Sequence, residues 1–117
     1  MHQKTIEELG AGIWFMLHFH AARVSTPARA REFHALVYDL AIRFPCPECG
    51  QHFVEYLAEC PLPSGYSVTE YSEWVYKFHC RRNAEAKPPR SNPPKEEVFA
   101  YYLHLGDPAE RCDAICT

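Results

Sequence analysis

Cys46 and Cys49 are separated only by Pro47 and Glu48 and follow directly on Pro45. Proline is favoured at the first position of a helix, so Pro47 predicts a helix start with Cys46 near its N-cap. The unpaired N–H groups and positive dipole end of that helix point toward both sulfurs. Such a placement stabilises a thiolate and lowers the thiol pKa. A thiolate is the species that attacks disulfides, and two intervening residues let the sulfurs close a strained, reducible bridge. The same spacing is also half of a tetrahedral zinc site. Seven histidines and four further cysteines (Cys60, Cys80, Cys112 and Cys116) offer the other half. A zinc-stabilised helical interaction module is therefore the alternative. Two features favour redox chemistry over zinc. No second C-x-x-C or H-x-x-x-H stands at finger-like distance, and no strand-rich segment precedes the motif, which sets aside a thioredoxin arrangement. A redox dithiol on helices needs another electron acceptor, and a flavin is a natural one.

A flavin needs flat walls, hydrogen bonds for its heteroatoms and cations for its pyrophosphate. Trp14 and His18 are one helical turn apart. Trp74 and His79 lie on one later segment, with Asn83 a turn beyond His79 and Lys87 a turn beyond Asn83. Taken singly, each of these is as well explained by core packing. In combination with the dithiol they suggest a ring-binding site.

The elements that position these groups all read as helix. Thr5-Ile6-Glu7-Glu8 fits a capping box, and Leu9, Ile13, Leu17 and Ala21 then recur at helical spacing up to about Val24. Thr26-Pro27 fits an N-cap followed by a first-turn proline. Phe33, Leu36, Val37, Leu40, Ala41 and Phe44 form the clearest amphipathic stripe of the chain. Pro45 stops it, and a third helix runs from Pro47 through Phe53, Tyr56 and Leu57 to about Glu59. Ser67-Val68-Thr69-Glu70 is a second capping box. It opens a helix with Tyr71, Trp74, Val75 and Phe78 on one face. The proline-rich stretch from Lys87 to Pro94 is a non-helical connection. A short fifth helix runs from about Pro94 to Leu105 and is closed by Gly106. Short connections imply antiparallel neighbours, hence an all-α four-helix bundle plus one short helix. One domain over 1–117 is expected, with a helical core of about 5–105 and a cysteine-bearing tail, 106–117.

The net charge of −3 gives no electrostatic reason to expect nucleic acid as a partner. The apolar run from Ile13 to Leu17 is too short for membrane insertion. No apolar leader opens the chain, so a cytoplasmic protein is expected.

Taken together, these residues resemble the Erv/ALR family of FAD-linked sulfhydryl oxidases. The resemblance rests on Trp14-Phe15-Met16-Leu17-His18, on Phe44-Pro45-Cys46-Pro47-Glu48-Cys49, and on Trp74, His79, Asn83, Lys87 and Pro88 at family spacing. It implies FAD at the mouth of the bundle, held by Trp14, His18, Phe44, Trp74, His79, Asn83, Lys87 and Phe99. It also implies that Cys49 lies against the isoalloxazine while Cys46 exchanges with thiol-containing protein substrates. Oxygen would take the electrons as hydrogen peroxide, and the protein would form a homodimer through its first helices. Cys112 and Cys116 match the mobile shuttle pair of many members, the alternative being a structural bridge from the tail to Cys60 or Cys80. The short length is similar to the small forms encoded by large DNA viruses. Ala11, Phe44 and Cys80 stand where members usually carry arginine, tyrosine and asparagine.

Overall fold

The computed structural model describes residues 3–105 as five helices: α1 (Gln3–Ala21), α2 (Pro27–Arg43), α3 (Pro47–Glu59), α4 (Val68–Glu85) and α5 (Lys95–His104). No strand occurs among the described residues. The tail, with Cys112, Cys116 and the expected helix stop at Gly106, lies outside them.

Three helix starts follow local chemistry. Thr26 Oγ1 accepts from the Arg29 N–H at 3.2 Å, with Pro27 in the first turn. Ser67 Oγ does the same for the Glu70 N–H at 3.3 Å. Cys46 caps α3 through its sulfur. The first helix departs from expectation at both ends. It is already helical at Gln3, so Thr5 lies inside it and is not its cap. It ends at Ala21 rather than near Val24, because Thr26 is held extended, as the residue before a proline prefers. The intervening chain turns through Arg23 N–H to His20 O (3.0 Å) and Val24 N–H to Ala21 O (3.3 Å).

Helix α1 packs on α4, and α2 packs on α3. The four enclose a core of Leu17, Ala21, Val24, Phe33, Val37, Phe53, Tyr56, Tyr71, Trp74, Val75 and Phe78. The stripes read from the sequence on α2 and α4 are the ones that face it. Helix α5 rests on α1 and buries no residue completely. No helix among the described residues is long and apolar enough to cross a membrane. The junction of α2 and α3 is tight. A Cβ at Gly50 would lie 3.1 Å from Phe44 Cβ and 3.2 Å from the Ala41 carbonyl oxygen, so a glycine lets the first turn of α3 settle onto the end of α2.

Candidate active site

Cys46 sits at the N-cap of α3 in an extended conformation (φ −99°, ψ 109°), and its sulfur accepts from the Cys49 N–H at 3.4 Å. The two cysteines are present as thiols. Their acidities diverge, which corrects the expectation that the helix mouth favours both thiolates. Cys46 is pulled below the ordinary thiol value, first by a hydrogen bond from the Cys49 thiol and then by the Cys49 N–H. Cys49 is pushed up to about 11, chiefly by burial, then by its bond to Cys46 and the charge there. The physical reason is position. Cys46 is at the rim, where the orphan donors converge, whereas Cys49 is one turn inside the helix and gives its proton to its neighbour. Arg82 of α4 is near enough to oppose the rise at Cys49. Reduced, the outer thiol is the more acidic of the two and the inner thiol holds its proton more tightly.

A cavity of about 410 Å³ opens beside α1, α4 and α5, within the range typical of small-molecule sites. His18, Tyr76, His79, Asn83, Tyr101 and Tyr102 line it. Its walls are stacked rings. Trp14 lies on His79 with centroids 4.1 Å apart and planes 4° from parallel. His18 lies on Tyr102 at 4.8 Å and 11°. Between the stacks His18 Nε2 meets His79 Nδ1 at 3.1 Å, so one nitrogen carries the shared proton and the other accepts it. The connection between α4 and α5 is fastened at the cavity edge. The Tyr76 hydroxyl donates to Pro93 O at 2.6 Å, Asn83 Nδ2 donates to Asn92 Oδ1 at 2.7 Å, and the Arg90 N–H donates to Asn83 O at 2.9 Å.

Both histidines are depressed from 6.5 to about 4. Burial is the main cause for each, joined by the other ring's charge for His18 and by Arg90 for His79. A depressed basic group takes up its proton in the unfolded chain first, so acid favours unfolding. Stability from this pair is complete above pH 6.5, declines from there to about pH 4, and levels off below. For His18, only 5% exposed, the decline is about 3 kcal/mol. Urea unfolding followed against pH reads it. His18→Leu removes the His18 share of the decline and leaves that of His79, and a wild-type profile already flat between those limits contradicts the neutral pair.

The expected cofactor residues separate into groups. His18, His79 and Asn83 come together in the cavity wall, and Trp14 backs His79. Trp74 stands apart in the core, where its indole N–H donates to Cys60 O at 2.8 Å. Phe44 closes the α2–α3 junction against Phe53 at 5.9 Å. Lys87 is exposed beyond the end of α4. Phe99 packs on Tyr76 at 6.2 Å and does not line the cavity. A file of rings connects the dithiol's neighbour to the cavity wall. Phe44 meets Phe53, Phe53 meets Phe78 at 5.0 Å, Phe78 meets Trp14 at 5.1 Å, and Trp14 meets His79. Tyr76, Tyr101 and Tyr102 were not foreseen. The spacing of Val98, Tyr101 and Tyr102 on α5 is the helical period and was the available signal. Cys80 also lines the cavity beside Tyr76 and Cys60 lies beside Tyr56, and neither forms a disulfide among the described residues.

The Erv1/Alr family model matches residues 11–100. The rice (Oryza sativa subsp. japonica) protein named FAD-linked sulfhydryl oxidase ERV1 is 35% identical over 115 residues, covering 93% of this chain and 56% of the relative. The Arabidopsis thaliana protein of the same name is 35% identical over 78 residues, 64% of this chain and 40% of the relative. The FAD-linked sulfhydryl oxidase ERV2 of Saccharomyces cerevisiae is 29% identical over 87 residues, 72% of this chain and 44% of its own. The chain thus spans about half the length of these relatives.

Proposed function

The chain belongs to the Erv1/Alr family, and from that premise we propose that it is a flavin-linked thiol oxidase that forms disulfides in protein substrates. The observation that carries this reading is the asymmetric dithiol: an outer sulfur stabilised as thiolate and a half-buried inner sulfur hydrogen-bonded to it.

The chemistry starts from the oxidised Cys46–Cys49 bridge. A substrate thiolate attacks Cys46 Sγ, the S–S bond breaks, and Cys49 leaves with the electron pair. A second substrate thiolate then attacks the substrate sulfur of the mixed disulfide and expels Cys46. The substrate has lost two electrons and two protons, and the enzyme pair has gained them. The helix mouth makes Cys46 the better leaving group in this second attack. The inner position of Cys49 suits it to hand the pair inward.

The cavity fits the ring portion of FAD in the chemistry of its walls, while no lysine or arginine among the described residues lines it to meet the pyrophosphate. Trp14, His79, His18 and Tyr102 offer stacked planes, and the neutral histidine pair, Asn83 and the Tyr76 hydroxyl offer polar contacts among them. When bound, FAD supplies the two-electron acceptor, and oxygen takes the pair onward as hydrogen peroxide. His18, His79 and Asn83 would hold it, with Trp14 behind His79. Keeping the histidines neutral lets the pair donate and accept one hydrogen bond without placing a charge against the ring system. The exposed apolar side chains Phe15 and Met16 on α1 support a homodimer through that helix. Sedimentation as a monomer overturns that part alone.

The test is direct. Protein purified from a flavin-replete host is yellow, dithiothreitol bleaches it without air, and admitting air restores the colour with peroxide formed. Colourless protein that binds no added FAD, or stoichiometric zinc whose chelation unfolds the chain, defeats the proposal.

A further inference from the structure

Helix α5 is the least secured wall of the cavity. It has no side-chain N-cap and no fully buried residue, yet it contributes Val98, Tyr101 and Tyr102 to the lining. Its last turn is held by a residue from another element. Arg23, half-buried just beyond the end of α1, donates from one terminal nitrogen to Phe19 O and to Tyr102 O, each at 3.0 Å, and from the other to Leu105 O. The guanidinium carbon lies 3.8 Å from the centroid of the Phe19 ring. One cation thus joins the carbonyl ends of two helices, where orphan acceptors and the negative dipole ends both favour positive charge. Tyr102 connects this clamp to the cavity. Its carbonyl is bound by Arg23, while its ring covers His18 and meets Phe15 at 5.7 Å. Arg23 itself does not line the cavity.

We propose that Arg23 is a positioning residue that fixes α5 across the cavity and thereby sets how tightly the site holds its ring ligand. The inference rests on the FAD reading given above. Arginine is required by the geometry, because a planar fork reaches several fixed acceptors at once and a lysine ammonium acts as a single point charge.

Arg23→Gln and Arg23→Lys in the full chain test this by three measurements. These are FAD titration of the apoprotein by flavin fluorescence, amide hydrogen exchange over residues 96–104, and thermal unfolding without FAD. In Arg23→Gln, FAD binding weakens by about tenfold or more, since charge-assisted bonds to α5 are lost. The α5 amides exchange faster, and the apoprotein melts within a few degrees of wild type because the core is untouched. Arg23→Lys falls between the two, and carries the test if Arg23→Gln does not fold. Wild-type FAD affinity in Arg23→Gln overturns the inference. So does a uniform rise in exchange across all helices, which marks a role in general stability. A wild-type protein that takes up no FAD defeats the flavin reading instead, and the exchange measurement still decides whether Arg23 holds α5.

Discussion

Cys49→Ser leaves a protein that binds FAD as wild type does but turns over dithiol substrates slower by a factor on the order of 10³ or more, as removal of a reacting nucleophile does elsewhere. Serine is the informative replacement because its hydroxyl still donates to Cys46, and the backbone N–H at position 49 still caps that sulfur. Cys46 therefore keeps its lowered pKa and reacts with iodoacetamide faster than an ordinary thiol at the same pH. What is lost is the sulfur that leaves from the bridge and receives the electron pair. Cys46 alone forms no bridge and takes no electrons from a reduced substrate, whereas an added disulfide such as oxidised glutathione exchanges with the Cys46 thiolate, releases one thiolate and leaves a mixed disulfide, visible as a mass increase. Full turnover in this variant contradicts the assignment of Cys49. Cys46→Ser removes the point of attack and leaves Cys49 without a bridge partner, so turnover of protein substrates and of small dithiols is lost alike.

The second large effect is on stability. Phe78 is 1% exposed and touches rings on every side: Trp14 at 5.1 Å, Phe53 at 5.0 Å, Trp74 at 5.7 Å and Tyr56 stacked at 4.4 Å. Phe78→Ala removes the hub of this cluster and leaves a cavity that stiff aromatic neighbours fill poorly, at a cost of about 3–5 kcal/mol. That is a large part of the stability of a domain this size. Urea unfolding of the apoprotein measures it, and Phe78→Leu, which keeps most of the volume, costs less. Ile42→Ala, at a side chain 75% exposed, is the control and changes little. A loss below about 1 kcal/mol for Phe78→Ala means the cluster does not hold the bundle together.

The sequence announced the helices because its punctuation is local. Thr26-Pro27, Pro45-Cys46-Pro47 and Ser67 act on their own next three residues, and the structure starts α2, α3 and α4 there. Thr5 misled because a capping box is only a competitor: Gln3 and Lys4 already join the helix. The site was legible in part. Trp14, His18, His79 and Asn83 share helical periods, so their convergence in one place could be read. Trp74 lies on the same helix as His79 but faces the core, and only the packing partners decide that. The role of Arg23 was invisible, because its acceptors at Tyr102 and Leu105 are backbone oxygens far along the chain and leave no mark in side-chain identity. The unequal acidities of Cys46 and Cys49 likewise come from burial and mutual charge rather than from the motif.

The glycine at position 50 acts as a shim beneath the sulfur-bearing turn. With no side chain to separate them, the turn and the last carbonyls of α2 stand in direct contact. A single methyl there would press on Phe44 Cβ and the Ala41 carbonyl, so the turn and both its sulfurs would have to shift against α2. Where the dithiol sits is thus set by a residue that carries no chemistry of its own.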